Sequence, residues 1–315
     1  MTFPLQNSPQ NLVDVRFNEL EHYVGNTPLY EIKHVFIKKD VKIFAKLEWQ
    51  QFGGSVKARA AYQIIRTALR EGWLTKDKAL LDATSGNTGI AYAIFAAVAG
   101  IDLTLCVPEN CSAERKYILK SLGAEVIYTS PFETTDGAQK VARQMVAATP
   151  EKYYYADQYS NNSNWLAHYN GTATELWDQT NEEITHFVSG LGTTGTFTGT
   201  GTRLKELNSD IQLVSLQPES ALHGLEGWKH LETAHTPGIY NDQLADLNLE
   251  VSTEAAYKMM QEVAKHEGLR ISPSSAANLV GAIKLAERID HGSIVTIFPD
   301  DSAKYGELNK RLFPN

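Results

Sequence analysis

The chain is poor in cysteine, has no excess of positive charge and contains no long hydrophobic run. Two cysteines, Cys106 and Cys111, in 315 residues are too few for a disulfide framework and lack the paired short spacings of a zinc site. A reducing, cytoplasmic setting is therefore the expectation. No stretch reaches the roughly eighteen apolar residues that a spanning helix needs. The segment Met1–Gln10 shows no basic stretch followed by an apolar one, so nothing directs export or membrane insertion. Lys and Arg number 29 against 37 Asp and Glu, a formal charge of −8. That balance offers a polyanion no footprint and argues against nucleic acid as the main partner. The phosphate-binding pattern G-x-x-x-x-G-K-[ST] is missing as well, which removes the usual NTPase route. Neither an internal repeat nor a low-complexity tract is present, and a small-molecule function is the default that remains.

The composition that is present, 43% apolar and 21% charged with 22 Gly and 11 Pro, is that of an ordinary globular chain, and its length suggests about two domains. Strand-length apolar runs alternate with stretches of helical period. The first block predicts strands over Ile43–Leu47, Ala79–Ala83, Leu103–Val107, Glu125–Tyr128 and Tyr153–Ala156. Helices are predicted over Val56–Glu71, Ile90–Ala99, Ala113–Leu122 and Asp136–Ala148. Gly72, Gly100 and Gly123 follow three of these helices, where a left-handed residue would end them. The second block predicts strands over Thr185–Ser189, Gln212–Leu216 and Ile294–Phe298, with helices over Phe197–Leu207, Glu254–Glu267 and Ser275–Arg288. Such a succession predicts an α/β fold of parallel sheets covered by helices on both faces. Gln217–Asn248, rich in His, Pro, Gly and acidic residues, reads as a long functional loop region.

Three loops between a strand and a helix carry candidate chemistry. In Gly53-Gly54-Ser55-Val56-Lys57-Ala58-Arg59, Ser55 is a natural N-cap, which places Lys57 in the first helical turn. There the helix dipole disfavours an ammonium, and burial would depress its pKa further. A neutral amine is what forms a Schiff base with a carbonyl; a surface lysine on an amphipathic helix is the alternative. Thr84-Ser85-Gly86-Asn87-Thr88-Gly89 offers backbone amides and small hydroxyls to a carboxylate at a helix start, or else forms a capped tight turn. Gly190-Leu191-Gly192-Thr193-Thr194-Gly195-Thr196 would cradle a phosphate. It also satisfies G-x-G-x-x-G, with Glu219 in the place of a ribose partner. A dinucleotide enzyme would leave Lys57 and the Asn87 loop idle, whereas a pyridoxal phosphate enzyme gives all three loops a role.

With Gly25-Asn26-Thr27-Pro28-Leu29, Lys46-Leu47-Glu48 and Pro299-Asp300 followed by Lys304-Tyr305, these motifs run in order through nearly the whole chain. In that pattern the sequence resembles the fold type II pyridoxal-phosphate enzymes of the cysteine synthase family, most closely the B-type branch. The resemblance implies two three-layer domains with parallel-rich twisted sheets, similar to the tryptophan synthase β chain. It places a small mobile substrate-binding domain at 46–157 and a large cofactor-binding domain at 11–45 and 158–315. It makes Lys57 the lysine that binds pyridoxal 5′-phosphate and Asn87 the partner of the cofactor's 3′-oxygen, with Gly192, Thr193, Thr194, Gly195 and Thr196 around the phosphate. Thr84, Ser85, Thr88 and Gln158 would bind the amino-acid carboxylate. The implied reaction is β-replacement on O-acetylserine or O-phosphoserine by sulfide or another sulfur donor, giving L-cysteine through an aminoacrylate, with Lys57 as the base. A cystathionine β-synthase-like or diaminopropionate-forming enzyme, and a non-catalytic cofactor-binding protein, are the rival readings. A twofold homodimer is implied by resemblance alone, and no metal is expected.

Three departures from the family pattern stand out. Ala58 replaces the acid of the usual Lys-Asp-Arg, Ser272-Pro273-Ser274-Ser275-Ala276-Ala277 replaces a glycine-bearing segment, and Asp300 or Asp301 stands where a serine usually meets the pyridine nitrogen. We expect Asp300 to face the ring, the alternative being that it caps a turn after Pro299. In His223-Gly224-Leu225-Glu226-Gly227-Trp228-Lys229-His230, resemblance to phosphoserine-using relatives suggests that Lys229 contacts a leaving phosphate.

Overall fold

The computed structural model describes residues 15–84 and 86–314. Among the described residues there are ten strands: β1 (Leu29–Ile32), β2 (Val41–Leu47), β3 (Ala79–Ala83), β4 (Leu103–Pro108), β5 (Glu125–Thr129), β6 (Tyr153–Tyr155), β7 (His186–Gly190), β8 (Gln212–Pro218), β9 (Leu247–Val251) and β10 (Gly292–Phe298). They form a six-stranded sheet in the order β1-β2-β10-β7-β8-β9 and a four-stranded sheet in the order β5-β4-β3-β6. Every pairing is parallel except that of β1 with β2.

The described residues divide into two compact units. One comprises the residues up to Val24 with Ala61–Gln158, and the other Gly25–Ala60 with the residues from Tyr159 onward. The boundary differs from the expected 46–157. Residues 46–60 stay with the six-stranded sheet because β2 pairs in register with β10 as far as Leu47 opposite Phe298. The Val56 N–H also donates to the Pro299 carbonyl at 2.8 Å. At the other end, Phe17 stacks on Tyr62 at 4.9 Å in the first unit, so the segment before Gly25 leaves the body to which it was assigned. Both shifts come from contacts distant in sequence, which local pattern does not report.

The larger sheet shows why its strands read as nearly continuous apolar runs. Alternate residues of a strand point to opposite faces, and both faces are buried. Ile43, Ala45, Val188, Val214, Leu216 and Phe298 enter one core with the helices Thr253–His266 and Pro273–Ala286. Phe187, Leu213, Val295 and Ile297 enter the opposite one with Ala173–Gln179 and Gly195–Leu207. In the smaller sheet Leu81, Ala83 and Cys106 pack on Ala138 and Ala142 of the helix Thr134–Ala148.

Gly72, Gly100 and Gly123 adopt positive φ after their helices, as expected. Among the described elements that escape the periodicity are edge strands β1 and β9 and the helices Asn162–Ala167, Ala173–Gln179 and Gly306–Leu312. The edge strands bury only part of one face. Asn161 caps the first of these helices, its side chain accepting from the Ser163 N–H. Among the described residues no helix is long and apolar enough to cross a membrane.

Candidate active site

In the second unit the loop after β2 turns through Gly53 and Gly54, both at positive φ, where a side chain would be strained. The helix Lys57–Arg70 follows, and its first N–H donates to Ser55 Oγ at 3.4 Å, which fulfils the capping expectation. Lys304 Nζ donates to the Gly54 carbonyl at 2.9 Å, so the motif near the C-terminus braces the glycine loop. The Lys57 side chain is partly buried. Burial pulls its pKa below the ordinary lysine value, against a smaller opposite pull from the carboxylates of Asp300 and Glu48. Ala58 is fully buried, so at this position the chain carries a small core side chain.

Arg59 is the centre of a buried ion network. It binds Glu48 through Nε and Nη2 at 2.6 and 2.8 Å and Glu175 through Nη1 and Nη2 at 2.6 and 2.8 Å. Lys46 Nζ reaches Glu175 at 2.6 Å and the Thr27 carbonyl at 2.6 Å. The Thr27 hydroxyl donates to Glu48 at 2.6 Å. Two cations face two carboxylates, and Arg59 holds both in bidentate fashion, the geometry in which a guanidinium is strongest. Burial alone would raise the Glu175 pKa, but hydrogen bonding and charge from Arg59, with Lys46, hold it far below the usual carboxylate range. Gly25 follows from this packing, since a Cβ there would lie 2.8 Å from Glu175 Oε1.

Beside the network lies His168, buried in a π-helical turn, His168–Thr172. Its Nδ1 is 2.9 Å from the Thr172 hydroxyl and its Nε2 is 3.3 Å from that of Thr196. Burial, then the charges of Arg59 and Lys57, keep the ring well below its ordinary pKa and neutral.

The glycine–threonine loop after β7 is closed from behind. A Cβ on Gly192 would meet the Gly227 carbonyl oxygen at 2.0 Å, and one on Gly195 would meet Asn164 Oδ1 at 2.1 Å. Asn164 Nδ2 donates to the Thr193 hydroxyl at 3.1 Å. Thr194 sits at φ +69 and precedes the helix Gly195–Leu207, and its hydroxyl is buried with no protein partner. A threonine in the left-handed region is strained and persists where the surroundings impose it. The loop thus presents Thr194 and the start of a thirteen-residue helix to an anion.

The two neighbouring acids separate cleanly. Asp301 caps the short turn that follows, accepting from the Ala303 N–H at 3.0 Å. Asp300 is fully buried and accepts from the Tyr305 hydroxyl at 2.9 Å. Ser272 caps the helix Pro273–Ala286, and Ser275 Oγ donates to the Asp300 carbonyl at 2.8 Å, so the altered serine segment is tied to the acid. Lys229 joins the phosphate loop through its backbone, N–H to the Leu191 carbonyl at 2.7 Å, while its ammonium lies 5.2 Å from the centre of the Tyr159 ring.

In the first unit the turn after β3 leads into the helix Asn87–Ala99, three residues before its expected start at Ile90. The Thr84 hydroxyl accepts from the N–H groups of Gly86 and Gly89, each at 3.2 Å. Thr88 Oγ donates to Gln158 Oε1 at 2.7 Å, and Gln158 Nε2 donates to the Ala83 carbonyl at 2.8 Å. Asn87 is the first helical residue, and Ser85 falls outside the described residues. The structure therefore gathers Thr84, Asn87, Thr88 and Gln158 in one unit. Lys57, Gly192–Thr196, Lys229 and Asp300 belong to the other.

A family model described as pyridoxal-phosphate dependent enzyme matches residues 20–300. The chain is 46% identical to a cysteine synthase of Aquifex aeolicus over 92% of its own length and 90% of the relative's. To cysteine synthase B of Escherichia coli it is 37% identical, over 91% and 93%. The crystal structure of a cysteine synthase from Entamoeba histolytica superposes with a TM-score of 0.87 at 31% identity, covering 100% of this chain and 94% of that one. The chain belongs to the pyridoxal-phosphate-dependent enzymes of the cysteine synthase family.

The residues present fit that cofactor. A depressed lysine amine suits its aldehyde, and the phosphate loop carries a buried, unpartnered hydroxyl at a helix start. Sequence reasoning missed Arg59, Glu175 and His168 as parts of the site. Arg59 and Glu175 are 116 residues apart, and the available signal was only the adjacency of Arg59 to the Lys57 motif.

Replacing Glu175 with Gln removes one anion from a buried, balanced network, which costs about 3–5 kcal/mol. Because the folded-state pKa lies below the ordinary 4.5, the carboxylate's contribution is complete above that value and is lost as pH falls through the folded one. Denaturant titration should show the full deficit of Glu175→Gln at neutral pH and a narrowing gap only in strong acid; equal stability at neutral pH would contradict this account.

Proposed function

We propose that the chain makes L-cysteine by β-replacement on an activated serine with sulfide. The observation that carries this reading is a lysine with depressed basicity at a helix start, in the same unit as a glycine–threonine loop built for phosphate. Lys57 Nζ, Asn87 and Gly192–Thr196 would hold the cofactor. Bound pyridoxal phosphate draws electrons from the amino acid's α-carbon, so that the α-proton becomes removable and the β-substituent can leave. The first unit, with Thr84, Thr88 and Gln158, is the part we assign to the substrate carboxylate. Thr84 accepts two N–H bonds and keeps its own O–H to donate, and Gln158 ties that turn to Thr88 and the Ala83 carbonyl.

Lys57 Nζ is uncharged over more of the pH range than an ordinary lysine, as a general base must be. It would take the proton from Cα as the Cβ–O bond breaks and acetate or phosphate leaves, and return it to Cα after sulfide has bonded to Cβ. His168, neutral and bonded on both ring nitrogens, keeps the Thr196 end of the phosphate loop in place. We place Asp300 against the pyridine nitrogen, where its charge would favour a protonated ring more than a serine hydroxyl would. Burial of Asp300 and its Tyr305 bond support that placement.

Lys57→Ala should abolish the visible absorbance of the bound cofactor and lower turnover by on the order of 10²–10⁴-fold or more. Retention of both would refute the assignment. Because a cation helps a dianionic leaving group more than acetate, Lys229→Ala should lower kcat/KM for O-phosphoserine far more than for O-acetylserine, and equal losses would reject the contact. The buried free thiols of Cys106 and Cys111 suit the cytoplasm, and the family resemblance supports a homodimer. Light scattering should give about twice the 34.9 kDa of one chain; a monomer mass would exclude it.

A further inference from the structure

A buried acid in the first unit stands behind the loop assigned to the substrate carboxylate. Asp82 lies on β3, two residues before Thr84, and is fully buried. Its neighbours Leu81 and Ala83 pack on the helix Thr134–Ala148, so by strand alternation Asp82 faces the other side. Asp82 Oδ1 accepts from the Ala83 N–H at 2.8 Å. Oδ2 and the Tyr92 hydroxyl are both buried and lack a well-formed hydrogen bond, yet the two groups interact: the tyrosine favours the carboxylate as a donor, and the carboxylate's charge acts on the tyrosine. Tyr92 belongs to the helix that opens at Asn87.

The remaining groups around it are also acidic or neutral. Asp157, which immediately precedes Gln158, repels the ionised form of Asp82, and Cys106 on β4 feels it. Tyr154 and Tyr155 on β6 act on Tyr92. No cation figures among the leading influences on Asp82. Asp157 itself is held at φ +41 with one buried oxygen lacking a partner. A carboxylate charge on Asp82, buried and beside Asp157, would be strongly unfavourable.

We propose that Asp82 is a positioning residue for the amino-acid carboxylate: as the neutral acid it keeps the end of β3 and the Asp157–Gln158 turn together, and as the carboxylate it drives them apart. The mechanical link is short. Gln158 bonds the Ala83 carbonyl on one side and the Thr88 hydroxyl on the other, so a shift of Asp157 from Asp82 is felt in the loop. Burial pushes the Asp82 pKa up to about 8, with Asp157 adding to it, while the Ala83 and Gln158 N–H groups and Tyr92 oppose. The loosening therefore falls within an accessible pH range.

This inference rests on the assignment of Thr84, Thr88 and Gln158 to the substrate carboxylate. The test uses the holoenzyme and L-alanine, which has the α-amine and carboxylate but no leaving group, with binding followed by the cofactor spectrum. Titrations of the amine and of Lys57 are common to wild type and Asp82→Asn and cancel in the ratio of their Kd values. That ratio should rise roughly threefold or more between about pH 7 and about pH 9, because only wild type gains the buried charge. Tyr92→Phe, which removes a group favouring ionisation, should move the wild-type midpoint to higher pH. A ratio independent of pH overturns the role of Asp82, and failure of L-alanine to bind either protein overturns the carboxylate assignment and this inference with it.

Thermal unfolding gives a second readout that does not need the ligand. Folded Asp82 keeps its proton to about pH 8, whereas the unfolded chain releases it near 3.8. Folded stability thus falls as pH rises between those values. The Tm of Asp82→Asn minus that of wild type should grow across the same interval; a constant difference would show that the acid is not buried as a neutral group.

Discussion

The double grip of Glu48 and Glu175 on Arg59 sets the geometry on which the helix start that carries Lys57 depends. Arg59 stands two residues after Lys57 in the first turn of one helix, so whatever fixes its guanidinium also fixes the direction in which Lys57 leaves the backbone. Lys46 balances the second carboxylate, and Thr27 hydrogen bonds to Glu48, Lys46 and Arg59. A buried network of this kind is weak evidence of net stability, because desolvation offsets much of its Coulomb energy. Its value here is directional. Once every donor and acceptor is satisfied, few other arrangements of β2, the glycine loop and the helix that follows are tolerated.

That constraint explains how one short segment can hold both a permanently charged arginine and a lysine of reduced basicity. The guanidinium is neutralised by two carboxylates at hydrogen-bond distance. The Lys57 amine has no comparable partner and loses hydration, so its charged form is the one penalised. The glycine–threonine loop works by a related electrostatic logic. Its backbone turns through a strained threonine into a helix start, an end that favours negative charge, and His168 stays neutral because burial, then the neighbouring basic groups Arg59 and Lys57, oppose its protonation.

Two buried acids illustrate how environment assigns different roles to one side chain. Asp300 receives the Tyr305 hydroxyl and lies where its carboxylate acts on the Lys57 amine. Asp82 has a tyrosine beside it too, but the other acidic group acting on it is a second carboxylate, Asp157. The contrast follows from which residues surround each acid, and nothing in the two local sequences announces it.

The parallel α/β order, the helix-ending glycines and the three strand-to-helix loops were legible in the chain because they depend on periodicity, on φ at glycine and on local capping. Lys57, Asn87 and the Gly192–Thr196 run are proposed as site residues for the same reason, each lying in a loop whose residue types already restrict its chemistry. Edge strand β1 escaped because only Ile32 of its four residues is fully buried, and β9, although Leu247-Asn248-Leu249-Glu250-Val251 alternates regularly, escaped because it adjoins the long loop segment. The boundary between the units, the pairing of Arg59 with Glu175, the division of labour between Asp300 and Asp301 and the setting of Asp82 were decided by tertiary structure. Each depends on groups brought together across long stretches of chain, where charge, burial and hydrogen bonding act through space and leave no local mark.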